Sequence, residues 1–215
     1  GADIYCDTVS MIQVLERIAP EPSVYIPGKE GIIDTLAQWG DTALFWACIG
    51  YLYQTDGVLV ALSKKSPEEV AAYQRDRGAL MSSRPMISFA ETKATLTIFL
   101  QRLQSMLEGD KQFFFAAAPT VADFACYHPL WCLRPLAPTA GILETAPLVL
   151  QWMDSMRGLT HGKHSELSTA EALAIGIASE PAELGSGPSD IPGIALGDEV
   201  EVMPSDYGLE PVRGV

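Results

Sequence analysis

The sequence has few basic residues, no long hydrophobic run and no paired cysteines. Its 215 residues include 14 Lys and Arg against 27 Asp and Glu, a formal net charge of −13. Such a chain repels phosphate groups, so we expect neither nucleic acid nor an anionic membrane as a partner. The longest apolar stretch, 43–53, is about half as long as a membrane-spanning helix. The four cysteines form no CxxC pair, which indicates reduced thiols and a cytoplasmic location.

Motifs of several catalytic classes are also absent. The chain contains no GxGxxG or GxxxxGK phosphate loop and no GxSxG nucleophile elbow. The three histidines, His128, His161 and His164, form neither HExxH nor HxxxH, so we expect no metal site. The N-terminus has neither the basic start nor the apolar core of a signal peptide. It also lacks an initiator methionine, which suggests that the chain begins within a longer protein.

The sequence is nevertheless rich in signals for helices. It is 48% hydrophobic and 19% charged, as expected for a globular chain. Capping boxes, in which an acidic residue follows a Ser or Thr by three positions, predict helices beginning at Ser66, Ser88, Thr120 and Ser168. An N-cap and apolar periodicity predict further helices over about 8–19, 29–53 and 147–156.

The C-terminal segment has a different composition. Residues 180–215 contain five prolines, six glycines and eight acidic residues against one arginine. The alternation of Glu and Val at 199–202 predicts a short strand, and the turn signal at 204–208 predicts a second strand near Val212. We therefore expect a mainly α protein with a small β-containing C-terminal tail.

Two features could bind a small molecule. Asp7 and Thr8 open the first helix, where free backbone N–H groups can hold a carboxylate or an amino-acid end group. An ordinary N-cap is the alternative explanation. The second feature is a stripe at helical spacing, which could line an apolar substrate site or form part of the core or of a dimer contact. It consists of Trp39, Ala43, Trp46, Gly50 and Tyr53.

Three motifs, in order along the chain, resemble those of glutathione S-transferases. The segment 2–8, Ala-Asp-Ile-Tyr-Cys-Asp-Thr, resembles the last strand of that family's thioredoxin-like domain and the acid-Ser/Thr pair that follows it. The segment 119–124, Pro-Thr-Val-Ala-Asp-Phe, resembles the capping motif of the family's central buried helix. The segment 146–152 resembles the Pro-x-aliphatic-x-x-Trp start of the next helix. These matches cover about residues 2–157.

The resemblance implies a fold and a domain organisation. Residues 1–22 would be a remnant of a thioredoxin-like α/β domain, 23–165 the C-terminal helical bundle, and 166–215 a helix followed by the acidic β-containing extension. Thr120 and Asp123 would be the structural capping pair of the central helix. Loss of such a cap costs about 0.5–2 kcal/mol, which is the effect we expect for Asp123→Ala. The family relation also implies a homodimer, with the stretch from Lys29 through the helix at 88–108 near the contact.

The resemblance further implies a function and a set of site residues. Asp7 and Thr8 would bind glutathione, the co-substrate, while Trp39, Trp46 and Trp131 would line the site of a small hydrophobic electrophile. The catalytic Ser, Tyr or Cys of the family would precede Gly1, and Cys6 would lie on the strand before the glutathione-binding pair. No residue of this chain is therefore expected to activate the thiol, and the chain alone is expected to lack appreciable conjugating activity.

Three interpretations remain open on the sequence. The first is a glutathione transferase of which this chain is a part. The second is a non-catalytic relative that uses the same helical domain for binding or scaffolding. The third is an unrelated helical ligand-binding protein, which would be favoured if Thr120 and Asp123 did not cap a buried helix.

Overall fold

A computed structural model describes residues 3–5, 7–81, 87–109, 111–115, 117–181, 192–195, 197–205 and 208–214. These residues are mainly helical, with one small sheet. The α-helices are α1 (Thr8–Ile18), α2 (Glu30–Trp39), α3 (Phe45–Tyr53), α4 (Gly57–Leu62), α5 (Pro67–Met81), α6 (Phe89–Met106), α7 (Val121–Leu133), α8 (Ala137–Ala140), α9 (Pro147–Gly158) and α10 (Thr169–Ala178). A π-helical turn (Gly40–Leu44), a 3-10 helix (Gly141–Thr145) and strands β1 (Val200–Val202) and β2 (Val212–Gly214) complete the elements.

The chain divides into two compact units. One contains Gly1–Ile4, Lys65–Met86 and Glu166–Val215, and the other contains Tyr5–Lys64 and Ile87–Ser165. This division differs from the boundaries drawn from the sequence, because 5–22 belongs with the main group of helices and 65–86 belongs with the C-terminal tail. The three-part domain organisation stays a prediction.

The expected helices are present. α5, α6 and α10 begin where their capping serines predicted, and at Ser88 and Ser168 the reciprocal bonds of the capping box are formed. The helix expected over 29–53 is present as α2 and α3 joined through the π-helical turn. The sequence did not predict α4, α8 or the 3-10 helix, which are short and have no capping side chain.

The small sheet is antiparallel and forms where the sequence predicted it. Val200, Glu201 and Val202 pair with Gly214, Arg213 and Val212 respectively. The predicted turn at 204–208 falls partly outside the described residues, because the structure does not describe 206 and 207.

The strand expected over 2–6 is not seen in the residues that the structure describes there. Asp3, Ile4 and Tyr5 have no assigned secondary structure, while Ala2 and Cys6 are outside the described residues. A strand requires a hydrogen-bonded neighbour. In the described part of the chain β1 and β2 pair with each other, so the prediction of a strand at 3–5 is wrong for this structure.

The main hydrophobic core surrounds α7. Most of its buried residues come from α3, α6, α7 and α9, and they include Cys48, Leu96, Leu100, Leu130 and Trp152. A second cluster joins Ile33 and Ala37 of α2 to the first turns of α7. In α7, eight of the 13 residues are buried, and Pro129 lies inside the helix. This helix therefore positions the others in its unit.

The first turn of α7 is held by a buried carboxylate. Asp123 is fully buried and accepts four hydrogen bonds. Its Oδ2 accepts from the Thr120 backbone N–H at 2.8 Å and from the Thr120 hydroxyl at 2.9 Å. Its Oδ1 accepts from the Phe114 backbone N–H at 3.0 Å and from Trp152 Nε1 at 2.9 Å. The side chain thus joins α7 to the preceding loop and to α9.

The segment that precedes α2 contacts the N-terminal end of α7. The Val24 carbonyl accepts a hydrogen bond from the Val121 backbone N–H at 3.0 Å. Val24, Tyr25 and Ile26 also pack on the cluster that joins α2 to α7. This contact supplies an acceptor for one of the free N–H groups at the helix start.

The π-helical turn is packed closely against α7. A Cβ added at Gly40 would lie 3.0 Å from Cys126 Sγ and 3.1 Å from two backbone atoms of Ala125 and Cys126. Only glycine permits this approach without displacement of the backbone, so Gly40 fixes the crossing of the two elements.

We expect Asp123→Ala to lower the free energy of unfolding by at least about 3 kcal/mol, because it leaves several buried donors without an acceptor at about 1–3 kcal/mol each. This exceeds the effect of a cap alone. Glu91→Ala, in the exposed capping box of α6, is the matched control, with an expected loss of about 0.5–2 kcal/mol. Urea denaturation measures both, and equal losses would contradict the role assigned to Asp123.

We expect Gly40→Ala to destabilise the protein by about 1–3 kcal/mol, because the added methyl group overpacks the contact with α7. Gly31→Ala in α2 is the control, since a Cβ there meets nothing within 4 Å. Gly31→Ala should raise the free energy of unfolding by about 0.4–1 kcal/mol, because alanine lowers the conformational entropy of the unfolded chain. Thermal and urea unfolding distinguish the two changes, and a neutral Gly40→Ala variant would argue against the close contact.

Candidate functional site

The N-terminus of α1 is exposed and is built around Asp7. The Asp7 backbone has φ +103°, an unusual value for a residue other than glycine. Its Oδ1 accepts from the Val9 backbone N–H at 2.8 Å. Asp7 and Thr8 are both solvent-exposed. The sequence-predicted pair therefore lies at an accessible helix start, where remaining N–H groups attract an anion.

A carboxyl group on another element responds to the charge of Asp7. Burial raises the pKa of the Asp41 carboxyl on the π-helical turn, the charge of Asp7 adds to the rise, and His128 of α7 opposes it. The His128 ring is stacked on Phe45 of α3, with ring centroids 5.7 Å apart and ring planes at 20°. The close packing of Gly40 on α7 explains why Asp41 and His128 are neighbours.

The three tryptophans proposed for the electrophile site have different surroundings. Trp39 packs edge-on against Phe99 of α6 at 5.0 Å and borders the main core. Trp46 is half-buried and packs edge-on against Phe45 at 5.0 Å. Trp131 lies on α7 with 55% of its surface exposed. These tryptophans therefore lie on different helices: Trp39 of α2 packs against α6, whereas Trp131 of α7 is exposed.

The π-helical turn alters the stripe that the sequence suggested. A π turn accommodates one more residue than an α turn, so residues before and after it no longer follow one helical register. Gly50 faces Thr92 of α6, while Tyr53 is 37% exposed at the end of α3. The regular spacing from Trp39 to Tyr53 therefore does not define one continuous face.

The exposed face of α7 carries Trp131, which the sequence analysis selected, and an aromatic residue that it did not select, Phe124. Phe124 is 39% exposed and precedes His128 by four positions and Trp131 by seven. Residues at this spacing share one face of an α-helix. The spacing was visible in the sequence, but only the structure shows that this face is the one left in solvent.

A separate cleft of about 380 Å³ lies between α1 and α2. The hydroxyl of Tyr25 donates to Asp34 Oδ1 at 2.8 Å, and burial together with this bond raises the pKa of Tyr25 to about 12. Glu16 accepts from the Ser23 hydroxyl and from the Val24 backbone N–H. These acidic groups serve the local structure. The cleft is lined by Gln13, Glu16, Arg17, Tyr25, Glu30 and Asp34.

The described cysteines are free thiols. Cys48 and Cys126 are buried and Cys132 is partly buried, while Cys6 lies outside the described residues. Burial raises the pKa of all three thiols, which lowers their reactivity because the thiolate is the nucleophile.

The described part of the chain has neither a metal-binding cluster nor a membrane-spanning helix. It contains no group of His, Cys, Asp or Glu that could hold a metal ion. His161 and His164 are exposed and lie outside helices and strands. None of the described helices has the length and hydrophobicity to cross a membrane.

The comparisons with known proteins identify the family. Residues 80–159 match the C-terminal domain of glutathione S-transferases. The whole chain superimposes on a GST-like protein from Pseudomonas syringae with a TM-score of 0.74 and 31% identity, and it covers 67% of that protein. The chain therefore belongs to the glutathione S-transferase family.

A second relative is S-crystallin 1 of Octopus vulgaris, which is 30% identical over 93 residues. The match includes 43% of this chain, and it spans 42% of the octopus protein.

The burial of the thiols leads to a prediction for their reactivity. In a Cys6→Ser variant, we expect one thiol, Cys132, to react quickly with a disulfide reagent in the native protein. Cys48 and Cys126 should react only after the protein is unfolded in urea. The physical cause is that Cys48 and Cys126 are completely or almost completely enclosed. The absorbance of the released thiolate measures both phases.

Cys132→Ser is the control, because it should remove the fast phase and leave the slow one. Rapid reaction of all three thiols in native protein would contradict this assignment.

Proposed function

We propose that the protein binds glutathione through the N-terminus of α1, and that the complete protein directs the glutathione thiolate at a small apolar electrophile. The geometry of Asp7 carries the proposal. Its carboxylate caps the helix while it stays exposed, and Thr8 begins the first turn beside it. In the family this pair holds the γ-glutamyl end of glutathione, and this chain has it at an accessible helix start.

The charges at this end suit the amino-acid end of glutathione. The free N–H groups of the first helical turn favour the α-carboxylate, while the carboxylate of Asp7 favours the α-ammonium group. Asp41 is close enough for Asp7 to raise its pKa, so a ligand ammonium would also relieve repulsion between these two acids.

The electrophile would lie over the helical domain. Of the three tryptophans proposed for its site, Trp131 has the most accessible ring, whereas Trp39 contributes to packing against α6. We retain all three in the proposal and give Trp131 the main role. Activation of the thiol belongs to a Ser, Tyr or Cys that the family carries in its thioredoxin-like domain.

A binding or scaffolding role without turnover is the second candidate. The similarity to a protein named as a crystallin, rather than as a transferase, favours it. The two candidates share glutathione binding and differ in turnover. Conjugation of glutathione to a chromogenic electrophile by the full-length protein would support the enzyme. Glutathione binding with only the uncatalysed rate of conjugation would support the second candidate.

We also propose a cytoplasmic homodimer. The free thiols in the described part of the chain suit a reducing compartment. Exposed apolar residues on α2 and α6, among them Ile32 and Ile98, supply the surface for the contact that the family relation implies along the stretch from Lys29 through the helix at 88–108. Sedimentation analysis of the full-length protein measures the oligomeric state.

Asp7→Asn and Thr8→Val test the glutathione site. Asparagine tolerates the positive φ and keeps an acceptor for Val9 but removes the charge. We expect at least about tenfold weaker glutathione binding for Asp7→Asn, because hydrogen bonds to charged groups contribute about 1.5–3 kcal/mol. Calorimetric titration of the full-length protein measures the affinity.

Ser168→Ala is the matched control, since it removes an N-cap from α10, a helix with no proposed ligand. It should leave the affinity unchanged. No glutathione binding by the wild-type protein at millimolar concentration, or equal affinity for wild type and Asp7→Asn, would overturn the proposal.

A further inference from the structure

The last helix, α10, is apolar on all sides, yet the rest of the described chain does not cover it. Eight of its ten residues are Ala, Leu, Ile or Gly, and none of the ten is buried. Ile177 leaves 86% of its surface in solvent, and Leu173 and Ile175 are also exposed. A helix that is hydrophobic all round is normally a buried helix. The composition of α10 therefore indicates that a further surface covers it.

The unit that contains α10 has no core of its own among the described residues. Over 3–4, 65–80 and 166–214, none of the residues that the structure describes is buried. The hairpin of this unit pairs Val202 with Val212, and both side chains are exposed. A ten-residue helix and a two-stranded sheet are each marginally stable in water without packing partners. The unit must therefore gain apolar contacts from outside these residues.

One side of α10 forms a continuous apolar stripe, which we call the docking face. It consists of Ala170, Leu173, Ala174 and Ile177, at the spacing that places residues on one side of a helix, whereas Ile175 lies on the other side. A helix of this length extends over about 15 Å, so the docking face is much smaller than the roughly 800 Å² that each protein buries in a stable complex. A partner within the same protein needs less area, because the covalent connection supplies a high effective concentration.

A second copy of the chain is a poor partner for the docking face. The net charge of the chain is −13, and 180–215 contributes eight acidic residues against one arginine. Glu171 lies on α10 and Glu180 follows it. Two copies that met at α10 would bring these carboxylates together at short range, where like charges repel.

The part of the protein before Gly1 is connected to the same unit. Asp3 and Ile4 belong to the unit of α10, and Ile4 is exposed. Residues 80–159 match a domain that is C-terminal in its family. This chain covers 67% of the Pseudomonas syringae protein, and the remainder of that protein is large enough for a further small domain. A domain that precedes Gly1 would thus be tethered to the unit that carries the docking face.

We infer that the docking face of α10 binds an apolar patch on the domain that precedes Gly1, so that the C-terminal unit and this N-terminal domain are held together. The inference goes beyond the proposed function, since it involves neither the glutathione site at Asp7 nor an electrophile. Burial of Leu173 and Ile177 supplies the hydrophobic stabilisation of the contact. The same contact gives the unit of α10 the core that its described residues lack.

Hydrogen–deuterium exchange of the full-length protein, measured by mass spectrometry, tests the inference. The amides of 173–178 should exchange slowly, because a covered helix opens only when the docked domain is released. Ile177→Gln should accelerate their exchange by at least about tenfold, since it removes the burial of a large apolar side chain from the docking face. Peptides from the domain before Gly1 should show a matching increase, which a purely local role of Ile177 would not produce.

Ile175→Gln is the matched control, with the same substitution on the other side of the same helix. Ile175 is 48% exposed within the described chain, against 86% for Ile177. Without docking, Ile175→Gln would therefore have the larger effect, whereas docking predicts the reverse order. An equal or larger acceleration for Ile175→Gln would overturn the inference, as would unchanged exchange of the preceding domain in Ile177→Gln.

Two further results would also contradict the inference. One is rapid exchange of 173–178 in the wild-type protein. The other is protection of α10 that is lost on dilution, which would assign the docking face to a second copy. Glutathione titration of the same samples keeps the two proposals apart, because the absence of glutathione binding would overturn the proposed function alone.

Discussion

The carboxylate of Asp123 is the interaction on which the helical unit depends. It is fully buried and accepts hydrogen bonds from the loop before α7, from the N-cap of α7 and from α9. An isolated carboxylate in such a place would be very unfavourable, and four donors in good geometry offset its desolvation. The position of α7 is therefore determined by polar contacts at its start as much as by apolar packing along its length.

A second constraint acts on α7 at Ala125 and Cys126. The absence of a side chain at Gly40 lets the backbone of the π-helical turn approach Ala125 and Cys126. The turn shifts the register between α2 and α3, and it places Asp41 and Phe45 beside His128. The close contact thus brings His128 of α7 beside Asp41, whose pKa also responds to the charge of Asp7.

Sequence reasoning predicted the elements whose signals are local. Capping boxes and N-caps act within four residues, so the starts of α1, α5, α6, α7 and α10 could be read directly. The π-helical turn could not, because it accompanies a contact of Gly40 with another helix that is far away in the sequence. The partners of Asp123 were also hidden, since Trp152 is 29 positions away. Asp7 and Thr8 were placed correctly at a helix start, whereas the role of each tryptophan depends on which helix face is buried.

The loop that precedes α7 gains an unusual property from its contact with Asp123. The Phe114 and Thr120 amide hydrogens lie outside regular helices, yet both are bonded to a carboxylate that solvent does not reach. Their exchange with deuterium requires the release of Asp123, and with it the opening of α7 and the Trp152 contact. Two loop amides should therefore exchange with the kinetics of the core and not with those of the surface.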